Sequence, residues 1–178
     1  MPLTELQKLV RLAYSAERAA SYAYVGHAWS VRNKATKSEI KDIEQEEWQH
    51  REYLKEFLVI LEVKPSYILE CKFAVIGRLI GLSCLVIGKF MPNYFAGRLE
   101  SGNVNEYIEM ARLAANSPIG DRIGCILEMA VVEKRHELYF LDKVKDDPWL
   151  KPFQIIFKWG KDSTFNPIGN DFTIPQNA

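Results

Sequence analysis

Apolar residues recur at helical spacing along most of the chain, and in four stretches the recurrence is interrupted on its own face by an acidic residue or a histidine. The first stripe, Leu6, Leu9, Ala13, Ala20, Tyr24, Ala28 and Val31, carries Glu17 in its line. The second, Ile40, Ile43, Leu54, Phe57 and Leu61, lacks two members at the expected spacing, and Glu47 and His50 stand in their places. A third stripe of Ala96, Val104, Tyr107, Ala111 and Ala114 includes Glu100, and a fourth of Ile126, Met129, Phe140 and Val144 is completed by Glu133 and His136. The pattern predicts four amphipathic helices whose buried faces each carry charge.

Chain breakers set the expected boundaries. A helix near 3–33 is followed by a Lys/Thr/Ser turn and a helix from about 37 to 62, which Pro65 closes. A very apolar segment, Tyr67 to Met91, leads to Pro92 in the first turn of the helix bearing Glu100. The Asn116-Ser117-Pro118 turn opens the last long helix. Asp146-Asp147-Pro148 ends it, and a short aromatic and basic segment, Trp149 to Lys161, precedes a tail rich in Asn, Pro, Gly and Thr that is expected to lie extended over the surface. The expected class is all-α, with 178 residues in one domain: a bundle core over 3–145 and a C-terminal segment over 146–178.

The interruptions of the four stripes carry chemistry. Residues i and i+3 share a helix face, so Glu47-x-x-His50 and Glu133-x-x-His136 each aim a carboxylate and an imidazole at one point. Ionised carboxylates among Leu and Ile are costly unless they are paired or coordinate a cation. Two divalent ions would relieve four of them at once, and carboxylate oxygen with imidazole nitrogen suits iron or manganese, iron first. The order Glu17, Glu47, His50 repeats as Glu100, Glu133, His136, as expected of two helical hairpins face to face. His27 has no glutamate three residues earlier and reads as a hydrogen-bonded core group or an outer contact of the site. Glu44, Glu46, Glu52, Glu106, Glu109 and Glu137 fall mostly off the stripes and read as solvated, with outer contacts open to Glu46 and Glu137.

The 23 basic and 23 acidic residues give a formal net charge of zero, without a like-charge run, which argues against a nucleic-acid partner. Cys71, Cys84 and Cys125 lack Cys-x-x-Cys spacing and are expected to be reduced core thiols. The N-terminus leads straight into an amphipathic helix without the basic and apolar regions of a secretory signal, so a cytoplasmic protein is expected. In the apolar stretch 73–91, Arg78 and Lys89 leave only ten uncharged residues between them, short of the roughly twenty a spanning helix needs. It is expected to pack as a crossover helix, to rest its outer face on a bilayer, to line an apolar channel, or to combine these.

The run Glu17-Arg18-Ala19-Ala20-Ser21-Tyr22-Ala23-Tyr24-Val25-Gly26, the pair Glu47 and His50, the Gly77- and Gly88-containing apolar segment leading to Glu100-Ser101, Tyr107, and the pair Glu133 and His136 resemble, in motif and order, the demethoxyubiquinone hydroxylases of ubiquinone biosynthesis over about 15–145. The chain departs from that pattern at His27, where the family usually has Gln, in a shorter loop before Glu133, and in its tail. The resemblance implies a ferritin-like four-helix bundle with an additional apolar crossover helix. It further implies two iron ions bridged by Glu47 and Glu133, with Glu17, Glu100, His50 and His136 as terminal ligands. The implied activity is hydroxylation of a polyprenyl benzoquinone ring with O2, with NADH as the electron source, at a membrane surface, and Tyr107 supports electron transfer. A homodimer is left open. The alternative is a ferritin-like di-iron oxidase or peroxidase, or an iron-binding protein, with a non-quinone substrate.

Overall fold

A computed structural model describes residues 3–160. Among them the chain forms α1 (Glu5–Ser30), α2 (Lys34–Ile60), α3 (Tyr67–Ser83), α4 (Phe90–Ala114), a 3-10 turn (Gly120–Arg122), α5 (Ile123–Val144) and α6 (Leu150–Phe157), with no strand. The expected tail from Lys161 onward lies outside the described residues. The all-α expectation holds, and the differences are local. The Lys/Thr/Ser turn is helical, because the Asn33 side chain accepts from the Thr36 amide at 3.0 Å and starts α2 at Lys34. The same helix ends before Pro65: Glu62 takes a left-handed φ of 56°, the Glu62 and Val63 amides donate to the Val59 and Leu58 carbonyls, and Val63 is buried behind this cap. Thr4 and Gln7 form a reciprocal capping box at the start of α1. The aromatic segment after Pro148 winds into α6.

The order of apolar layers along each helix fixes the topology. One core layer holds Val10 and Ala13 of α1, Leu54 and Phe57 of α2, Tyr107 and Met110 of α4, and Ile126 and Met129 of α5. A second holds Ala20 and Tyr24 of α1, Ile40 and Ile43 of α2, and Phe140 of α5, with Ala96 of α4 against it. The chain passes from the first layer to the second in α1 and α5 and from the second to the first in α2 and α4. These pairs therefore run in opposite senses, and the connection from α2 to α4 must return the chain along the length of the bundle. α3 makes that return, lying against α1. Four helices with one long crossover are the ferritin-like arrangement.

α3 can lie that close because small residues meet at the contact. A Cβ at Gly77 would strike the backbone of Ala19, and one at Gly26 the backbone of Gly81. Glu70 of α3 pins the same contact, pairing with Arg18 at 3.0 Å and Arg51 at 2.5 Å and accepting from Ser15 at 2.7 Å. The opposite face of α3 leaves Val75, Leu79 and Leu82 exposed. Cys71 is exposed as well; of the three thiols expected in the core only Cys84 is buried, and Cys125 is half-buried. At the far side Tyr94, Val144, Leu150 and Trp159 form a third, aromatic cluster that fixes α6 to α4 and α5.

Candidate metal centre

Glu17, Glu47, His50, Glu100, Glu133 and His136 lie together between the two principal core layers, and all six are buried. Each arrives from mid-helix, where the apolar stripe passes from one layer to the other. One ligand atom each from Glu17, Glu47, His50 and Glu133 falls within 4.8 Å of the others, and so does one each from Glu47, Glu100, Glu133 and His136. The two groups share Glu47 and Glu133. Two cations placed side by side would therefore have those two carboxylates in common.

The donor atoms fit such cations. Glu17 Oε2, both Glu47 carboxylate oxygens, Glu133 Oε1, His50 Nδ1 and His136 Nδ1 are buried without a hydrogen-bond partner, a costly condition for polar atoms in a protein interior. His50 Nδ1 stands 2.9 Å from Glu133 Oε1 without being aligned for a hydrogen bond, and His136 Nδ1 stands 3.2 Å from Glu47 Oε1. Burial, followed by repulsion from neighbouring carboxylates, pushes Glu17, Glu47 and Glu100 well above the ordinary carboxylate range. Burial acts on Glu133 in the same direction, but its contacts with Glu100 and His50 prevail and hold it at about 2. Carboxylates this close cannot all ionise unless positive charge lies among them.

A surrounding shell orients the donors. Glu46 Oε2 lies 2.6 Å from His136 Nε2, which leaves Nδ1 directed at the carboxylates. Tyr107 donates to Glu17 and is set edge-on to the His50 ring at 5.8 Å; burial drives its hydroxyl pKa well up, so it stays protonated. Tyr24 donates to Glu100 in the same manner. Asn103 Nδ2 donates to Glu100 at 3.1 Å and Glu133 at 3.4 Å.

Sequence reasoning named Tyr107 but missed Tyr24, although each tyrosine stands two helical turns after its helix's glutamate and donates to the glutamate of the other helix. The repeat Glu17/Tyr24 and Glu100/Tyr107 was the available signal. Asn103, which gave no such signal, was also missed. Glu46, placed among the solvated residues with an outer contact left open, makes that contact. Glu137 is buried instead of solvated, because it pairs with Lys134 at 2.7 Å and accepts from Trp159 at 2.9 Å, and Glu106 is half-buried with a pKa raised chiefly by burial. His27 is a core residue outside both ligand groups, but its expected hydrogen bond is absent: among the described residues its ring has no hydrogen-bond partner and stacks against the rings of Tyr24 and Phe140.

A cavity of about 470 Å³ opens between α1, α3 and α4. Ala16, Ala20, Phe73, Ile76, Phe95 and Leu99 are among its apolar walls, and it reaches the carboxylates through Tyr24 and Asn103, which line it. The apolar segment 73–91 thus does form a wall of it, as expected.

Known proteins add one finding. The family model described as ubiquinone biosynthesis protein COQ7 matches residues 4–112, beginning earlier than the resemblance read from the motifs and stopping before α5. The match takes in Glu17, Glu47, His50, Glu100 and Tyr107, whereas Glu133 and His136 lie beyond it. No curated protein and no solved structure matches the chain. Because the match spans more than half of the sequence, the chain belongs to the family of ubiquinone biosynthesis protein COQ7, the demethoxyubiquinone hydroxylases.

Proposed function

We propose that this chain is a single-domain di-iron monooxygenase that hydroxylates the ring of a lipid benzoquinone, drawing electrons from NADH and oxygen from O2. The observation that carries the reading is the pair of four-ligand groups sharing Glu47 and Glu133 beside an apolar cavity. Glu47 and Glu133 would bridge the two ions, Glu17 with His50 and Glu100 with His136 completing each side. Bound ferrous iron would supply the electrons that activate O2. The protein supplies placement: the walls of α1, α3 and α4 hold the ring away from water, and Tyr24 and Asn103 fix Glu100 where the cavity meets the ligands. Tyr107, between Glu17 and His50, is assigned the relay of electrons toward the site.

A lipid substrate calls for access from a bilayer. No helix of the described residues is long and apolar enough to cross a membrane. The exposed Leu79, Leu82 and Val86 beside the cavity wall, together with Ile155 and Ile156 of α6, support peripheral docking instead.

The test is a mass-spectrometric quinone profile of a bacterial strain lacking its own demethoxyubiquinone hydroxylase, before and after this chain is expressed. Restored ubiquinone is the expected result. Persistence of the demethoxy intermediate, with two irons on the purified protein, would leave the metal site and overturn the substrate.

A further inference from the structure

The cavity is apolar, but it contains one polar side chain with nothing to bond. Its other polar groups are committed: Tyr24 to Glu100, Asn103 to Glu100 and Glu133, Ser83 and Cys84 to the Ile80 carbonyl, and Arg98 to the Phe157 carbonyl. His27 is 3% exposed, lines the cavity, and has no hydrogen bond to its ring among the described residues. The rings of Tyr24 and Phe140 lie nearly parallel to it, at 24° and 21°, and set its plane. An imidazole held this way in an apolar enclosure carries a desolvation cost that no hydrogen bond from the described residues offsets.

We infer that His27 is the hydrogen-bonding anchor for the oxygen-bearing head of an otherwise apolar ligand in this cavity. The inference rests on the quinone reading above and deepens it by naming the residue that orients the ring. Burial pushes the His27 pKa down to about 4, so the ring is neutral at physiological pH and offers one donor and one acceptor nitrogen. A quinone carbonyl takes the donor; a hydroquinone hydroxyl takes the acceptor. One side chain thus serves both redox states of the ring. His27 stands three residues after Tyr24, one turn or about 5 Å along the same face of α1, and Tyr24 touches Glu100. A head group bonded to His27 therefore lies in the same cavity, one helical turn from the tyrosine that touches Glu100. His27 is a positioning residue, and its contribution is orientation.

The test compares two probes by calorimetry on the full-length iron-bound protein: a demethoxy-type benzoquinone with a short alkyl tail, and an alkylbenzene with the same tail and no oxygen. His27→Phe, which keeps a flat ring, is expected to weaken quinone binding roughly tenfold, the scale of one buried hydrogen bond, and to leave alkylbenzene binding unchanged. His27→Gln, which keeps a donor and an acceptor, is expected to restore most of the quinone affinity. Unchanged quinone binding in His27→Phe, or equal loss of both probes, overturns the anchor while leaving the quinone reading intact. If the unsubstituted protein binds the alkylbenzene but not the quinone, the substrate reading itself falls and the anchor falls with it.

Discussion

The hairpin of α1 and α2 and the hairpin of α4 and α5 present the same inward row of two glutamates and a histidine but differ in what stands around it. Glu17, Glu47 and His50 match Glu100, Glu133 and His136, and the bracing is reciprocal: Tyr107 of the second hairpin donates to Glu17, and Tyr24 of the first donates to Glu100. The likeness ends outside that row. His136 is held through Nε2 by Glu46, the residue before Glu47, whereas Val132 occupies the equivalent place before Glu133. Ten residues after Glu17 stands His27 on the cavity; ten after Glu100 stands Met110, fully buried in the core. A repeated frame of carboxylates and histidine has been kept while the positions next to it have diverged, and the divergent positions carry the asymmetry between a side that faces the cavity and a side that is solid core.

The shared carboxylates are the largest lever on this comparison. Glu133→Ala and Glu47→Ala are each expected to take iron content from two per chain to near zero and to remove activity, because both ions depend on them, whereas Glu109→Ala, on the exposed face of α4, leaves both intact. Two irons per chain in Glu133→Ala, by elemental analysis, would sink the bridging assignment.

Making position 27 match its counterpart comes next. The pKa of His27 lies at about 4 in the fold against 6.5 for a free imidazole, so the unfolded chain binds the extra proton. The resulting stability is complete above pH 6.5 and is lost as pH falls toward 4, by about 3 kcal/mol at most. His27→Met should abolish that part of the acid sensitivity, read from urea unfolding at pH 7 and pH 4.5; an unchanged difference between the two would mean that His27 is not a buried neutral ring.

Glu46→Val gives His136 the neighbour that the repeat places before Glu133. Loss of an orienting partner of a metal-bound histidine lowers affinity by about 10- to 100-fold, so at limiting iron the variant should retain one ion and lose the other. Equal weakening of both ions would show that Glu46 does not act through His136. The smallest effect is expected where the halves agree: Tyr24→Phe and Tyr107→Phe each remove one hydrogen bond to a buried carboxylate and should lower the stability of the iron-free protein by roughly 1–3 kcal/mol, about equally. A large inequality in urea midpoints would show that the bracing is not reciprocal.

The buried row of carboxylates and histidines was legible because a charged residue in an apolar helical stripe is a local anomaly, visible within a few turns. The fold class followed from the same stripes. What escaped was non-local. Glu70 looks like an isolated charge in an apolar helix until Arg18 and Arg51 arrive from α1 and α2; Glu137 looks solvated until Trp159 and Lys134 cover it. Asn103 has no feature in its neighbourhood that announces contact with Glu100 and Glu133. The first turn of α2 was missed for a smaller reason, since the polar run from Lys34 to Ser38 conceals a cap supplied by Asn33.

The glycine contact between α1 and α3 has a bearing on how this cavity can change. Where Gly26 meets Gly81 and Gly77 meets Ala19, main chain lies directly on main chain, so the spacing of those two walls cannot be adjusted by exchanging side chains; any added methyl group would drive the helices apart. The α4 wall is made by Met91, Phe95 and Leu99, whose sizes can be altered without moving a backbone. Adaptation to a ring or tail of different dimensions, by evolution or by engineering, would therefore run through α4, with α1 and α3 acting as a fixed jaw.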